Sequence, residues 1–254
     1  MKYSNIFDTH AHFDDTRFNP DRDELLTTIH QNGVEHIMNI GCDEKTSLNS
    51  IKLAEKYDFI DCTIGIHPNE ADKVSMDYID ILAKQAENPK VRAIGEIGLD
   101  YHWDVDHDIQ MAVFMAQLEL ADSLDMPIVI HDREAHQDVL EQLKRFRPRG
   151  IVHCFSGSAE FAHELVKLGF YIGFTGAITF PNSVKAVRAV AAVPVERLLL
   201  ETDSPYMAPQ PVRGKRCDSS MIEHTAATMA SIKDIDTQRL IDICNSNGKR
   251  IYEM

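Results

Sequence analysis

Histidines and acids at short, regular offsets are the first feature of this sequence that could do chemistry. Asp8-Thr9-His10-Ala11-His12 places two imidazoles two residues apart. In an extended chain, residues i and i+2 project to the same side, so His10 and His12 can grip one cation together. Asp8 shares that parity and is expected to orient the pair from behind. Related segments recur downstream: Gly65-Ile66-His67-Pro68, Gly95-Glu96-Ile97-Gly98, Ile130-His131-Asp132-Arg133, Val152-His153-Cys154 and Glu201-Thr202-Asp203. Imidazole with carboxylate donors suits Zn²⁺ or Mn²⁺, and a more hydrated version suits Mg²⁺. Glu201 and Asp203 share parity, which is expected to aim both acids into one site. His131 and Arg133 do likewise, aiming a guanidinium at whatever the cations hold.

Each of these six segments ends a short apolar run. The runs lie at 5–9, 34–40, 60–66, 91–97, 127–130, 150–152, 170–174 and 197–202. They are short and Val/Ile-rich, as strands buried on both faces are. Between them lie segments of helical period. Asn19-Pro20 is read as opening the first helix, with Pro at its first position, and Gly33 as closing it. A helix after Asp108 is expected to turn Ile109, Val113, Leu118, Ala121 and Leu124 inward. Ser158 and Asn182 are read as caps of two more, the second burying Val184, Val187 and Val190. Two helical stretches, near 221–231 and 237–251, complete the chain.

Strict alternation of strand and helix requires parallel strands with right-handed crossovers. Eight repeats with no Pro/Ser-rich linker predict a single-domain (β/α)8 TIM barrel over residues 1–254. Such a barrel carries its active site at the carboxyl ends of its strands, which is where the six polar segments fall.

Charge narrows the function. With 26 Lys+Arg against 40 Asp+Glu the formal net charge is -14, which excludes attraction to nucleic acid or membrane through a broad basic surface. A phosphate-bearing substrate remains compatible if bound cations neutralise it. The five cysteines are odd in number and form no C-x-x-C pair, so a reducing, cytoplasmic setting is expected rather than a disulfide framework or a thiolate zinc site. No apolar run is long enough for a membrane span. Neither membrane association nor an obligate protein partner is expected.

The ordered motifs, from Asp8-Thr9-His10-Ala11-His12 to Asn247, resemble TatD-family metal-dependent deoxyribonucleases of the amidohydrolase-like barrel superfamily. Ile94-Gly95-Glu96-Ile97-Gly98-Leu99-Asp100-Tyr101, His153-Cys154-Phe155-Ser156-Gly157-Ser158 and Leu200-Glu201-Thr202-Asp203-Ser204-Pro205-Tyr206 carry much of the likeness. The resemblance implies a pair of divalent ions (Mg²⁺, Mn²⁺ or Zn²⁺) and hydrolysis of DNA, or RNA, at single-stranded ends by metal-activated water. It implies that His10 and His12 hold one ion, His131 and His153 the other, and that Glu96 bridges. Asp203 would bind metal and serve the attacking water, making Asp203 and Glu96 the catalytic acids. His67, Arg133 and Arg213 would contact substrate.

The chain departs from the family pattern after Arg213-Gly214-Lys215-Arg216, where Cys217-Asp218-Ser219 replaces a segment ending in Asn-Glu-Pro. The alternative function is a same-fold amidohydrolase acting on a cyclic amide, lactone or other small ester. Such relatives often bridge their metals with a carboxylated lysine, and no strand here ends in one. His102, Trp103 and His107, in the loop after the fourth strand, are further candidates for substrate contact. His30, His36, His136, His163 and His224 are read as packing or surface residues.

Overall fold

Each apolar run becomes a strand because it is short, rich in β-branched residues and bounded by turn or helix-capping residues. The computed structural model describes residues 1–254. Its strands are β1 (Ile6–Ala11), β2 (Val34–Ile40), β3 (Ile60–Ile64), β4 (Val91–Asp100), β5 (Ile128–Arg133), β6 (Gly150–Val152), β7 (Tyr171–Phe174) and β8 (Leu198–Leu200). They lie in the order β1 to β8 with every adjacent pair parallel. At the seam, the Asp203 N–H donates to the His10 carbonyl at 2.9 Å and the His12 N–H to the Ser204 carbonyl at 2.7 Å. The seam that shapes the sheet into a (β/α)8 barrel therefore runs through His10, His12 and Asp203, three of the residues expected to hold metal.

The helices are α1 (Arg22–Gln31), α2 (Glu44–Lys56), α3 (Tyr78–Gln85), α4 (His107–Ser123), α5 (His136–Phe146), α6 (Ala159–Lys167), α7 (Val184–Ala192), α8 (Ile222–Lys233) and α9 (Thr237–Ile251). None is long and apolar enough to cross a membrane. Strand alternation sorts the core. Phe7, Met38, Ile40, Ala93, Val129, Ile151, Tyr171 and Leu199 form one cluster with Ile251 and Tyr252 at the end of α9. Their sequence neighbours, such as Ile6, Ile37, Ile94 and Ile128, pack outward under the helices. Truncating a buried aromatic such as Phe7 to Ala would cost about 3–5 kcal/mol.

Three helix details differ from the sequence expectation. α1 starts at Arg22, not Pro20, because Thr16–Phe18 first forms a 3-10 turn capped by Asp15. Asn182 does not cap α7; the flanking residue is Ser183, and Val184 is exposed while Ala189 and Val190 are buried. In α4, Ile109 and Leu124 face solvent, and the buried stripe includes Gln110 and Gln117. These two amides are buried because each is paired on both sides. Gln117 binds the Ile66 N–H and carbonyl, and Gln110 binds the Asp100 N–H and carbonyl. The helix thereby fixes the ends of β3 and β4, which deliver His67 and Asp100. Ser158 caps α6 as expected, accepting from the Phe161 N–H.

Candidate active site

Glu96 is the centre of the polar cluster at the carboxyl ends of the strands. Its Oε1 lies 2.6 Å from His153 Nε2 and 2.9 Å from His131 Nδ1. Its Oε2 lies 3.4 Å from His10 Nε2 and 4.0 Å from His12 Nε2. The two oxygens thus face two different pairs of imidazoles. His10 Nε2 and His12 Nε2 are 3.2 Å apart, and Asp203 Oδ1 lies 3.3 Å from His12 Nε2 and 3.8 Å from His10 Nε2. His131 Nδ1 and His153 Nε2 are separated by 3.4 Å.

These separations fit shared cations. Two donors each about 2.1 Å from one ion stand about 3.0–3.4 Å apart in octahedral or tetrahedral geometry. The ring tautomers fit as well. His12 Nδ1 donates to the Ile40 carbonyl at 3.1 Å, leaving the Nε2 lone pair free. His131 Nε2 pairs with Asp100 Oδ2 at 2.9 Å, leaving Nδ1 toward Glu96. Burial opposes ionising Glu96, but the surrounding imidazoles hold its carboxyl well below the usual range. Burial brings His10 down to about 4, which favours the neutral, ligating form.

His67 differs from the others. Its Nδ1 accepts the Asn69 N–H at 3.1 Å, so the neutral ring carries its proton on Nε2. Burial lowers His67 to about 3, keeping it neutral. His67 Nε2 lies 3.6 Å from Glu96 Oε1, close enough to join the donor groups by distance. A protonated nitrogen is nevertheless a hydrogen-bond donor and not a metal ligand.

Local backbone explains why these side chains converge. Gly98 has φ +142°, and a Cβ there would meet the His131 carbonyl at 2.0 Å. Only glycine lets β4 lie this close to β5 at the level of Glu96 and His131. Asp203 adopts φ +59°, a left-handed conformation rare for a non-glycine residue and frequent at functional sites. The left-handed turn ends the simple alternation after Glu201. Glu201 is fully buried and accepts the Cys154 N–H, whereas Asp203 is partly exposed at the mouth. The two acids do not share one surface, contrary to the parity expectation.

Asp8 is also placed otherwise than expected. Its carboxylate accepts from the Thr202 N–H and hydroxyl, the Ser219 hydroxyl and the His10 N–H, and it makes no hydrogen bond to either imidazole. It positions the backbone around Asp203 rather than the rings. Burial raises its carboxyl to about 6, against the pull of those donors. Ser219 belongs to the segment that departs from the family pattern, so the departure builds this buried network.

A cavity of about 730 Å³ opens over the centre. It is lined by His12, His67, Glu96, His131, His153 and Asp203, with Arg133 and Trp103 beside them. Arg213 is not in this lining. It is exposed and its guanidinium sits 4.7 Å from the Phe180 ring centroid. Arg216 is held by Asp21 through both terminal nitrogens. Of the loop histidines, His102 pairs with Glu134 and His107 stacks on Tyr101; neither lines the cavity.

Sequence reasoning assigned no role to Asp100 or Cys42. Asp100 shares strand parity with Glu96, and that was the available signal. Cys42 Sγ lies 3.7 Å from Glu96 Oε2 and 3.8 Å from His12 Nδ1. Burial pushes its thiol up to about 12. It follows β2 without any motif, so nothing local marked it. Cys154 adopts φ +43° and lines the cavity.

Known proteins match this chain over nearly its whole length. Residues 7–253 match the family model described as TatD related DNase. A Bacillus subtilis protein described as the uncharacterized metal-dependent hydrolase YabD is 39% identical, over 98% of this chain and 99% of its own. The 3'-5' ssDNA/RNA exonuclease TatD of Pantoea ananatis is 32% identical, over 97% of this chain and 99% of its own. The crystal structure of the TatD homologue YjjV from Escherichia coli K12 superposes with a TM-score of 0.93 at 30% identity, covering 98% of each chain. With a barrel of the same build and a match spanning nearly every residue, this chain belongs to the TatD-related DNase family.

Proposed function

We propose that this protein hydrolyses phosphodiester bonds at the ends of single-stranded DNA or RNA, with a pair of divalent ions held by His10, His12, Glu96, His131, His153 and Asp203. The observation that carries the proposal is the placement of Glu96, whose two oxygens face separate imidazole pairs while Asp203 closes the open side. Bound Mg²⁺, Mn²⁺ or Zn²⁺ would polarise the phosphoryl group and lower the pKa of a water from 15.7 toward about 7.

The protein's own groups have distinct tasks. Asp203 Oδ1, beside His12 and His10, is placed to take the proton of the attacking water. His67 Nε2–H donates to a phosphoryl oxygen as negative charge grows there. Arg133 lines the cavity next to His131 and offers a paired donor to the same phosphate. Asp100 and the Ile40 carbonyl hold the His131 and His12 rings in their ligating orientation.

Hydrolysis of a small lactone or cyclic amide is the alternative. It finds less support, since Glu96 stands between the two imidazole pairs, where it would bridge the ions, and no lysine lines the cavity. An assay on end-labelled single-stranded oligonucleotide with Mg²⁺ or Mn²⁺, beside an EDTA control, tests the proposal. Stepwise shortening that EDTA abolishes is the expected result. Absence of cleavage of DNA and RNA with every metal, beside turnover of a lactone, would replace it with the alternative.

A further inference from the structure

The rim of the cavity poses an electrostatic problem that its aromatic residues solve. Besides Glu96 and Asp203, the lining includes Asp14, Asp15, Asp43, Glu70 and Asp132, and Arg133 is its only Lys or Arg. In a chain of net charge -14, such a surface cannot hold a polyanion by successive phosphate contacts away from the ions. Affinity for the rest of a strand must come from elsewhere.

Two large aromatic side chains of the protein are exposed, Trp103 at 54% and Tyr206 at 48%, and both line this cavity. Single exposed apolar residues are ordinary on protein surfaces. The placement of these two is what separates them from that background. Trp103 follows β4, the strand of Glu96, and Tyr206 follows β8 and Asp203. In a barrel of order β1 to β8, β4 and β8 are diametrically opposed. The two rings therefore stand on opposite sides of the mouth with the polar centre between them. Each also has a guanidinium near its face: Arg17 lies 4.0 Å from the Tyr206 centroid and Arg133 5.9 Å from that of Trp103. Arg17 is itself fixed by two side-chain bonds to Asp15. One face of each ring is thus occupied or steadied by a cation, and the other is available for stacking.

We infer that Trp103 and Tyr206 are specificity-determining platforms on which the unpaired bases flanking the scissile phosphate stack. This rests on the hydrolysis of single strands proposed above and adds how the strand is gripped. Every base has a π-face, so the platforms tolerate any sequence. A base inside a duplex has both faces covered and a terminal pair exposes only one, so a paired end cannot engage both platforms. The acidic lining strengthens the discrimination by withholding the backbone contacts on which a duplex would rely.

Trp103 is the only tryptophan in the chain, which makes the test direct. Intrinsic fluorescence of the Mg²⁺-loaded protein is followed while a phosphorothioate-linked octathymidylate is added. The expected result is saturable quenching, with markedly weaker binding of the same bases locked in a blunt duplex. Trp103→Ala should raise KM on a cleavable single strand by about 5- to 150-fold, the usual worth of one stacked base. The loss on methyl p-nitrophenyl phosphate, which carries no base, should be smaller by that factor, and Trp103→Phe should recover most of the deficit. Cleavage of the strand by wild-type protein without any fluorescence change would overturn the inference. So would equal losses on both substrates in Trp103→Ala. Quenching by the strand without cleavage would uphold the platform and instead sink the hydrolysis it serves.

Discussion

Glu201 Oε1 lies 3.7 Å from His153 Nδ1, on the side of the imidazole opposite the Nε2 that faces Glu96. Glu201 is fully buried and also accepts the Cys154 N–H. In its ionised form it favours a proton on His153 Nδ1, which leaves the Nε2 lone pair for a cation. Burial pushes the Glu201 carboxyl up to about 8, against the pull of His153.

Glu201→Gln tests that support. The substitution keeps the shape but removes the ionisable group, and above about pH 8, where the carboxyl is charged, metal affinity should fall about 10- to 100-fold, as losses behind a ligating histidine usually do. Competition with a chromophoric chelator measures it. Wild-type affinity in the variant would reduce Glu201 to a packing residue.

Asp203→Asn and His10→Ala should fail in different ways. Asp203→Asn is expected to lose nearly all turnover while keeping most of its metal, because in the proposed mechanism Asp203 shares ligation but alone manages the proton. His10→Ala should weaken metal binding itself by about 10-fold or more. Metal content by atomic emission, read beside kcat, separates the two. Near-normal kcat in Asp203→Asn would move the proton-handling role to Glu96.

His67 is distinguished by its tautomer. His67→Ala should lower kcat about 10²- to 10³-fold, the usual loss on removing one donor to a developing oxyanion, with metal stoichiometry unchanged. His67→Gln, whose amide can still donate, should recover part of it. Loss of bound metal in His67→Ala would instead make it a ligand, as its 3.6 Å approach to Glu96 would permit.

Salt dependence of binding should be shallow. Arg216 is committed to Asp21 and Arg213 lies outside the cavity lining, leaving Arg133 as the cationic side chain there. With two or three phosphates engaged at about 0.7 each, log K should fall with log[salt] with a slope of about -1.4 to -2.1 on a short single strand. Titrations across a fourfold salt range at fixed free metal give the slope. One steeper than about -4 would reveal a basic track on the surface.

Gly173 offers a stability test behind the site, against Glu201. A Cβ there would lie 2.2 Å from Glu201 Oε2, on a side chain that is fully buried. Gly173→Ala should destabilise by about 1–3 kcal/mol, the usual cost of overpacking. Urea unfolding checks this, and an unchanged midpoint would mean that Glu201 can move.

The sequence by itself determined the barrel and the end of it at which the polar cluster lies. Strand parity and helix period are local properties, so the apolar runs located all eight strands to within a few residues. The polar segments at their ends located His10, His12, Glu96, His131, His153 and Asp203. Tertiary structure decided what those residues meet. Asp8 bonds Thr202 and Ser219 across a sequence distance that no periodicity encodes. Glu201 and Asp203 part because Asp203 is left-handed, and parity assumes an extended chain. Gln110 and Gln117 occupy the buried stripe of α4 because strand-end backbone groups wait there to be paired. Trp103 and Tyr206 oppose each other only because β8 returns beside β1, and that closure depends on the whole ring of strands rather than on any segment of it.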